Sequence, residues 1–362
     1  MSTIGGPRRR RVWSVALVGM ALLGAACSGG GGGGDPVGGG NADTVAGERI
    51  LQFTGAGKVR ISATMNRPAS KETPPGVLIV PGPGMTNRDG RTVGAPIDNL
   101  YKDLSRAFTA AGLATFRYDH RGVGASTLDL GEQPTWDDMV TDAQEALKYF
   151  SERGEIDGSR LAVVGHDMGG AIALKLAAAD NRVKSVALVA APGRSLVDVW
   201  AGEFQALNGA ESADAFRALA AQLATTGSLP SRDKIRAEHQ TALPVGQDAL
   251  YKALFSVDPL ADARSVKVPV LMALGEKSTS VVVEDTDRLR AALGGPSDVV
   301  VAPNANATLQ TLKPPPRVVP PGDPTDMSSM GGGPLIADAP RDQPTVSRIT
   351  SFLGASLGIR PA

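Results

Sequence analysis

The sequence predicts an α/β fold: a mostly parallel central sheet with helices on both faces and a helical insertion. Three observations carry this. From Glu48 onward, short β-rich runs alternate with amphipathic helical patterns, an order that requires crossover connections and hence a sheet covered on both sides. The alternation is interrupted once, by residues 196–262, which carry helical spacing and no clear strand. Finally, 42% hydrophobic residues over 362 positions supply enough apolar side chains for a large core, while a single cysteine excludes an intramolecular disulfide framework.

Taken in order, Ile50 to Phe53 and Val59 to Met65 are β-rich runs split by Gly55-Ala56-Gly57, which reads as a hairpin. Gly76 to Val80 is a buried-strand run ending at Pro81-Gly82-Pro83-Gly84. Leu100, Leu104, Phe108 and Ala111 share a helical face, and Ala114 to Tyr118 is the next strand. Trp136, Met139, Ala143, Leu147 and Phe150 mark a second helix with Thr135 placed to cap it. A strand at Leu161 to Val164, an alanine-rich helix from Met168 to Ala179 and a strand at Val186 to Ala190 follow. After the insertion, where Phe204-Leu207 and Phe216-Leu219-Leu223 show helical spacing, Val268 to Leu274 and Val299 to Val301 read as strands flanking a helix at Asp285 to Leu293. A last helix covers Thr345 to Leu357. Residues 314–343, rich in Pro and Gly, are expected as an irregular surface loop.

The first residues read as an address and a tether. Arg8 to Arg11 precede the apolar run Val12 to Ala26, the order of an export signal and too short for a membrane span. The run ends at Leu22-Leu23-Gly24-Ala25-Ala26-Cys27, which resembles a bacterial lipoprotein cleavage site, although Gly24 stands where leucine is usual. Residues 1–26 are therefore expected to be a signal peptide and Cys27 the lipid attachment point. Residues 27–47, with Gly29 to Gly34 and Gly38 to Gly40, would form a flexible tether and residues 48–362 the folded domain. Export by the general or the twin-arginine route is left open. The expected location is the cell envelope, with the membrane as a partner through Cys27.

With 37 basic and 37 acidic residues, the chain has no electrostatic footprint for nucleic acid. Loss of residues 1–26 removes four arginines and no acid, so the exported body is mildly acidic. Three histidines and one cysteine leave little for a metal site. Gly122-Val-Gly124 follows a strand but lacks the nucleotide-binding context, and no cofactor is expected.

The motif that names a fold is Leu161-Ala-Val-Val-Gly165-His166-Asp167-Met168-Gly169-Gly170: strand, sharp turn, helix. It has the shape of a nucleophile elbow, G-x-S-x-G, with aspartate at the centre. With Val80-Pro-Gly-Pro-Gly-Met-Thr-Asn-Arg88-Asp89-Gly90, Tyr118-Asp-His-Arg-Gly-Val-Gly-Ala-Ser126 and Asp258-Pro259 ahead of Val268-Pro-Val-Leu, the chain resembles the α/β-hydrolase superfamily, nearest to a bacterial group like dienelactone hydrolases and acyl-peptidases. The resemblance runs from about Lys58 to Leu357 and implies an α/β-hydrolase fold whose insertion, residues 196–262, is a helical cap.

The same resemblance assigns four catalytic places, and this chain departs from the pattern at each. Asp167 holds the place of the serine nucleophile. Gly275-Glu276-Lys277-Ser278 puts Ser278 where the family shows the acid. Pro303-Asn304-Ala305-Asn306 is followed by Ala307 where the family shows the histidine base. Of the two oxyanion donors, one falls on Pro83, which has no backbone N–H, leaving the Met168 N–H.

These departures point to a pseudoenzyme that binds a small apolar ligand, in a pocket lined by Met85, Met168 and cap side chains, or a partner protein. The alternatives are an active envelope hydrolase, either carboxylesterase-like or using Asp167 as nucleophile in the manner of haloalkane dehalogenases and epoxide hydrolases, and a purely structural lipoprotein. An aspartate nucleophile still needs a base to free the trapped ester. His166 reads as a packed neighbour of the elbow, His120 as a structural hydrogen-bonder, and His239, in Ala237-Glu238-His239-Gln240, as part of an exposed helix face. Asp198 is a conceivable relocated acid. Asp167 itself, at a helix N-terminus, is expected to be favoured as a carboxylate.

Overall fold

The computed structural model describes residues 47–359 except 71, 83, 85, 92–97, 129–133, 244–245 and 313–338. Cys27, the signal and tether segments, Pro83, Met85 and most of the expected 314–343 loop therefore lie outside the described residues.

Eight strands form one sheet. The hairpin of β1 (Gly47–Thr54) and β2 (Arg60–Arg67) leads into β3 (Pro75–Val80), β4 (Ala114–Tyr118), β5 (Asp157–His166), β6 (Val183–Val189), β7 (Val270–Gly275) and β8 (Ser297–Ala302). Their spatial order is β1-β2-β4-β3-β5-β6-β7-β8, antiparallel for the first two pairings and parallel thereafter.

The apolar strand runs are explained by burial on both sides. In β3, Leu78 and Val80 enter one core while Val77 and Ile79 enter the other, and β5 divides Leu161 and Val163 from Ala162 and Val164 in the same way. The first core is closed by α2 (Trp136–Ser151) and α3 (Gly169–Ala179), the second by α1 (Leu100–Ala110) and α9 (Gln343–Ser356). Thr135 caps α2 with Asp138 as the reciprocal partner, fixing where that helix begins.

Between β6 and β7 the chain runs through α4 (Leu196–Asn208), α5 (Ala210–Thr226), α6 (Ala237–Ala242) and α7 (Asp248–Phe255), which share a small core of their own around Phe204, Phe216 and Tyr251. The helix α8 (Val283–Ala292) follows β7. Among the described residues no helix is long and apolar enough to cross a membrane.

Two buried ion pairs join distant parts of the chain at the carboxyl end of the sheet. Arg121 meets Asp142 of α2 at 2.7 Å. Arg341, ahead of α9, binds Asp98, reaches Asp103 at 3.0 Å, and donates to the Thr308 carbonyl at 3.0 Å. It thus ties the 305–311 hairpin to the start of α1.

Candidate active site

The turn between β5 and α3 is a nucleophile elbow in backbone shape. Asp167 sits at φ 52°, in the left-handed region, and its N–H donates to the Val189 carbonyl at 3.0 Å. Its glycine neighbours are sterically required: a Cβ on Gly165 would come within 2.5 Å of the Gly169 carbonyl, and one on Gly169 within 2.4 Å of the Pro81 carbonyl. The helix therefore packs against the strand ends with no room for a side chain, and the central residue is held out at the bend.

The loop opposite is fastened from two sides. The Gly82 N–H donates to Tyr101 Oη at 3.1 Å, and His120 Nε2 donates to the Gly82 carbonyl at 2.7 Å. Tyr101 Oη also lies 3.0 Å from His166 Nδ1. Burial lowers His166 to about 4, so the imidazole that meets the tyrosine hydroxyl is neutral. Gly82 therefore offers no free N–H to an oxyanion. The two sequence motifs meet close by, where the Arg88 N–H donates to Asp119 Oδ1 at 2.8 Å.

Burial, not the helix terminus, dominates the electrostatics of Asp167. Its carboxyl is pushed up to about 6 by desolvation, with the Met168 N–H working in the opposite direction. The amide at the helix terminus favours the carboxylate, as its position suggests, but desolvation works against it more strongly. Met168 itself is fully buried, so it does not line a pocket as expected.

The three imidazoles are all engaged elsewhere. His120 and His166 are fixed on Gly82 and Tyr101, and burial lowers both below the ordinary histidine range. His239 corrects the sequence reading: it is 0% exposed, with Nε2 3.0 Å from Ser212 Oγ and its ring against Phe204 and Phe216 inside the cap core. Ser195 caps α4, accepting from the Asp198 N–H at 3.2 Å and donating to the Asp198 carboxylate at 2.8 Å, and among the described residues no histidine is bonded to Asp198.

The segments carrying Ser278 and Ala307 adjoin, with the Lys277 N–H on the Ala305 carbonyl at 2.8 Å. Ser278 accepts the Val281 N–H at 3.4 Å, and Ala307 packs on Ala190, Leu274 and Val281. Asn306 shapes the hairpin: its Oδ1 accepts from the Thr308 and Gln310 N–H groups and the Thr308 hydroxyl, and its Nδ2 donates to Gln310. The two places that the sequence resemblance gives to acid and base thus lie on adjoining segments and carry a hydroxyl and a methyl group. Neither is a hydrogen-bond partner of Asp167 among the described residues.

Sequence reasoning missed Glu203, on α4. It is mostly buried, and its carboxyl is pushed up to about 7, first by desolvation and then by the charge of Asp167, with Arg194 opposing. The elbow aspartate therefore has a second carboxyl as an electrostatic neighbour, supplied by the insertion. Nothing in the linear sequence marks this pair, since 36 positions separate two residues whose proximity depends on how α4 folds back. Among the described residues no cluster of three or more His, Cys, Asp or Glu could hold a metal ion.

A parallel sheet flanked on both faces, with an elbow at the end of β5, defines an α/β-hydrolase-fold protein. More narrowly, the chain belongs to the family described as Serine aminopeptidase, S33, whose model matches residues 98–302. Among curated proteins it is 31% identical over 94 residues to a thiohydrolase, apmlB, of Arthrinium phaeospermum, and 27% identical over 103 residues to an uncharacterized protein of Mycobacterium tuberculosis. These alignments take in 26% and 28% of this chain, and it spans only about a third of the length of each relative (31% and 34%). Among solved structures, DcsB in complex with its substrate analogue superposes with a TM-score of 0.56 at 16% identity, covering 86% of this chain and 99% of that one. The α/β hydrolase GrgF of Penicillium sp. sh18 gives 0.53 at 20% identity, with 86% and 99% covered. At such identities the likeness is one of fold.

Proposed function

We propose that this chain is a pseudohydrolase, a family member that keeps the elbow but does not perform serine-type hydrolysis, and that it recognises a small ligand or a partner protein instead. The observation that carries this reading is the engagement of all three imidazoles away from Asp167, on Gly82, Tyr101 and Ser212. Asp167 cannot act as a serine, Ala307 cannot move a proton, and Gly82 has no free donor. Loss of one oxyanion donor alone typically lowers rate by about 10²–10³-fold. The purified protein is expected to release no p-nitrophenol from p-nitrophenyl butyrate beyond the rate of its Asp167→Ala variant. Turnover that vanishes in Asp167→Ala overturns the proposal.

Export and membrane attachment through a lipidated Cys27 belong to the same reading, supported by the basic-then-apolar leader and the glycine tether. Incorporation of radiolabelled palmitate in a bacterial host, lost in Cys27→Ala, is the expected result; equal labelling of both rejects it.

One observation favours a second reading. Glu203 gives Asp167 a neighbouring carboxyl whose protonation changes near neutral pH. In that reading an Asp167 oxygen attacks an electrophilic carbon and displaces its leaving group, forming an ester. Glu203 then takes a proton from water, which attacks the ester carbonyl; the carboxylate returns as the alkoxide leaves, taking the proton from Glu203 to depart as the alcohol. A covalent adduct on Asp167 that accumulates in Glu203→Gln with a haloalkane or epoxide would support it, and an unmodified mass in both proteins supports the pseudohydrolase.

A further inference from the structure

A cleft opens at the opposite end of the sheet from the elbow. Its wall is built from the end of β2, the start of β3, the C-terminal turn of α1, Arg160 of β5 and the segment after α9, and it encloses about 730 Å³. Arg160 and the elbow lie seven residues apart along β5 and its turn, on the order of 20 Å of extended chain, so the two sites do not overlap.

The chemistry of the wall is unusual for an inert crevice. Arg67 is only 4% exposed and makes no ion pair among the described residues. Its Nε donates to the Glu155 carbonyl at 2.9 Å and its Nη2 to the Ser70 and Glu72 carbonyls at 3.4 Å, while Nη1 has no partner. Both Nη1 hydrogens of a nearly buried guanidinium are therefore unused, and its charge faces only carbonyl dipoles. Thr109, on the same wall, has a buried hydroxyl without a partner. Arg106, also lining the cleft, is exposed and makes no ion pair among the described residues. Arg160 is paired with Asp157 at 2.7 Å and donates to the Leu357 carbonyl. Against these cations the wall offers one carboxylate, Glu72, and its apolar part comes from residues such as Pro75 and Ile359.

From this combination we infer that the cleft is a binding site for a small organic oxyanion, a carboxylate or a phosphate ester, with Arg67 as the buried anchor and Arg106 as the outer charge. The unpaired Nη1 can donate to an anionic oxygen, and a buried cation without a counter-charge is the environment in which such a partner gains most. The volume suits a compact molecule with a small apolar body. The inference is independent of what Asp167 does, since it uses other residues at the other end of the strands.

Calorimetric titration of the full-length protein with benzoate, phenyl phosphate and neutral benzamide tests it. Benzoate or phenyl phosphate is expected to bind, more weakly as salt is raised, while benzamide does not; which anion binds more tightly names the head group. Arg67→Lys keeps the charge but loses the Nη1 donor held in place by the Nε and Nη2 contacts, and is expected to weaken binding by about tenfold. Arg106→Gln, at an exposed position that leaves the fold intact, is expected to weaken it by about threefold. The inference is overturned if neither anion binds at millimolar concentration, if benzamide binds as well as benzoate, or if affinity is unchanged in Arg106→Gln.

Discussion

The Gly82 N–H donates to Tyr101 Oη at 3.1 Å, so an amide beside the elbow is turned toward the helix behind it. Removing that acceptor by Tyr101→Phe leaves a buried amide unpaired and breaks the contact to His166. The variant is expected to lose about 1–3 kcal/mol of stability in urea unfolding and to gain no esterase activity. A gain of p-nitrophenyl butyrate turnover would mean that the tyrosine had been masking a functional donor.

The two raised carboxyls give a pH signature that variants can isolate. Asp167 has its folded value raised from 3.8 to about 6 and Glu203 from 4.5 to about 7, so each contributes stability below its unfolded value and loses it as pH rises through the folded one. The three lowered histidines act in the opposite sense below their ordinary value of 6.5, which makes the parent profile alone a poor readout. Relative to the parent, Asp167→Asn is expected to gain steadily from about pH 4 to 6 and then level off, by on the order of 3 kcal/mol. Glu203→Gln should gain over a window displaced toward pH 7. Because the two carboxyls interact, the double variant should gain less than the sum. Flat difference profiles in chemical denaturation would show that neither group is buried as a carboxyl.

Arg341 is the only described cation bridging α1 and the 305–311 hairpin through Asp98, Asp103 and Thr308. Arg341→Met strands a buried Asp98, and a loss of about 3–5 kcal/mol is expected in denaturant unfolding. Adding Asp98→Asn should restore part of it. A loss below 1 kcal/mol would mark the pair as solvent-screened.

Restoring the side chains tests where the family's catalytic places fall. Asp167→Ser alone is expected to stay inert to a fluorophosphonate probe, since no imidazole is hydrogen-bonded to residue 167 among the described residues. Asp167→Ser with Ser278→Asp and Ala307→His is expected to be labelled about 10²-fold faster than the single variant. Equal rates would show that residue 307 is not the histidine place.

The fold class was legible because burial on both sides makes a parallel strand a continuous apolar run, as in Val77 to Val80, and because Thr135 announces a helix start by its own chemistry. His239 was not. A six-residue helix, Ala237–Ala242, is too short to show an apolar period, so Glu238 and Gln240 made the segment read as exposed while the imidazole lies 4.4 Å from the Phe204 ring. The state of Asp167 was equally hidden: the motif shows the turn and the adjacent helix, but its desolvation depends on Gly82 and on chain elements distant in sequence. Glu203 and Arg67 share that difficulty, for each is notable through what lies, or does not lie, beside it in space.

The close approach of Gly165 and Gly169 to carbonyl groups has an evolutionary corollary. Those two positions admit no Cβ, so the close packing of the bend rests on the two glycines and makes no use of the functional group at its apex. Shape and reactivity are thereby partly uncoupled: among side chains that accept a left-handed backbone, the apex can exchange one functional group for another while the chain keeps its path. A scaffold built this way can lose a chemistry and still be a few substitutions from acquiring the next.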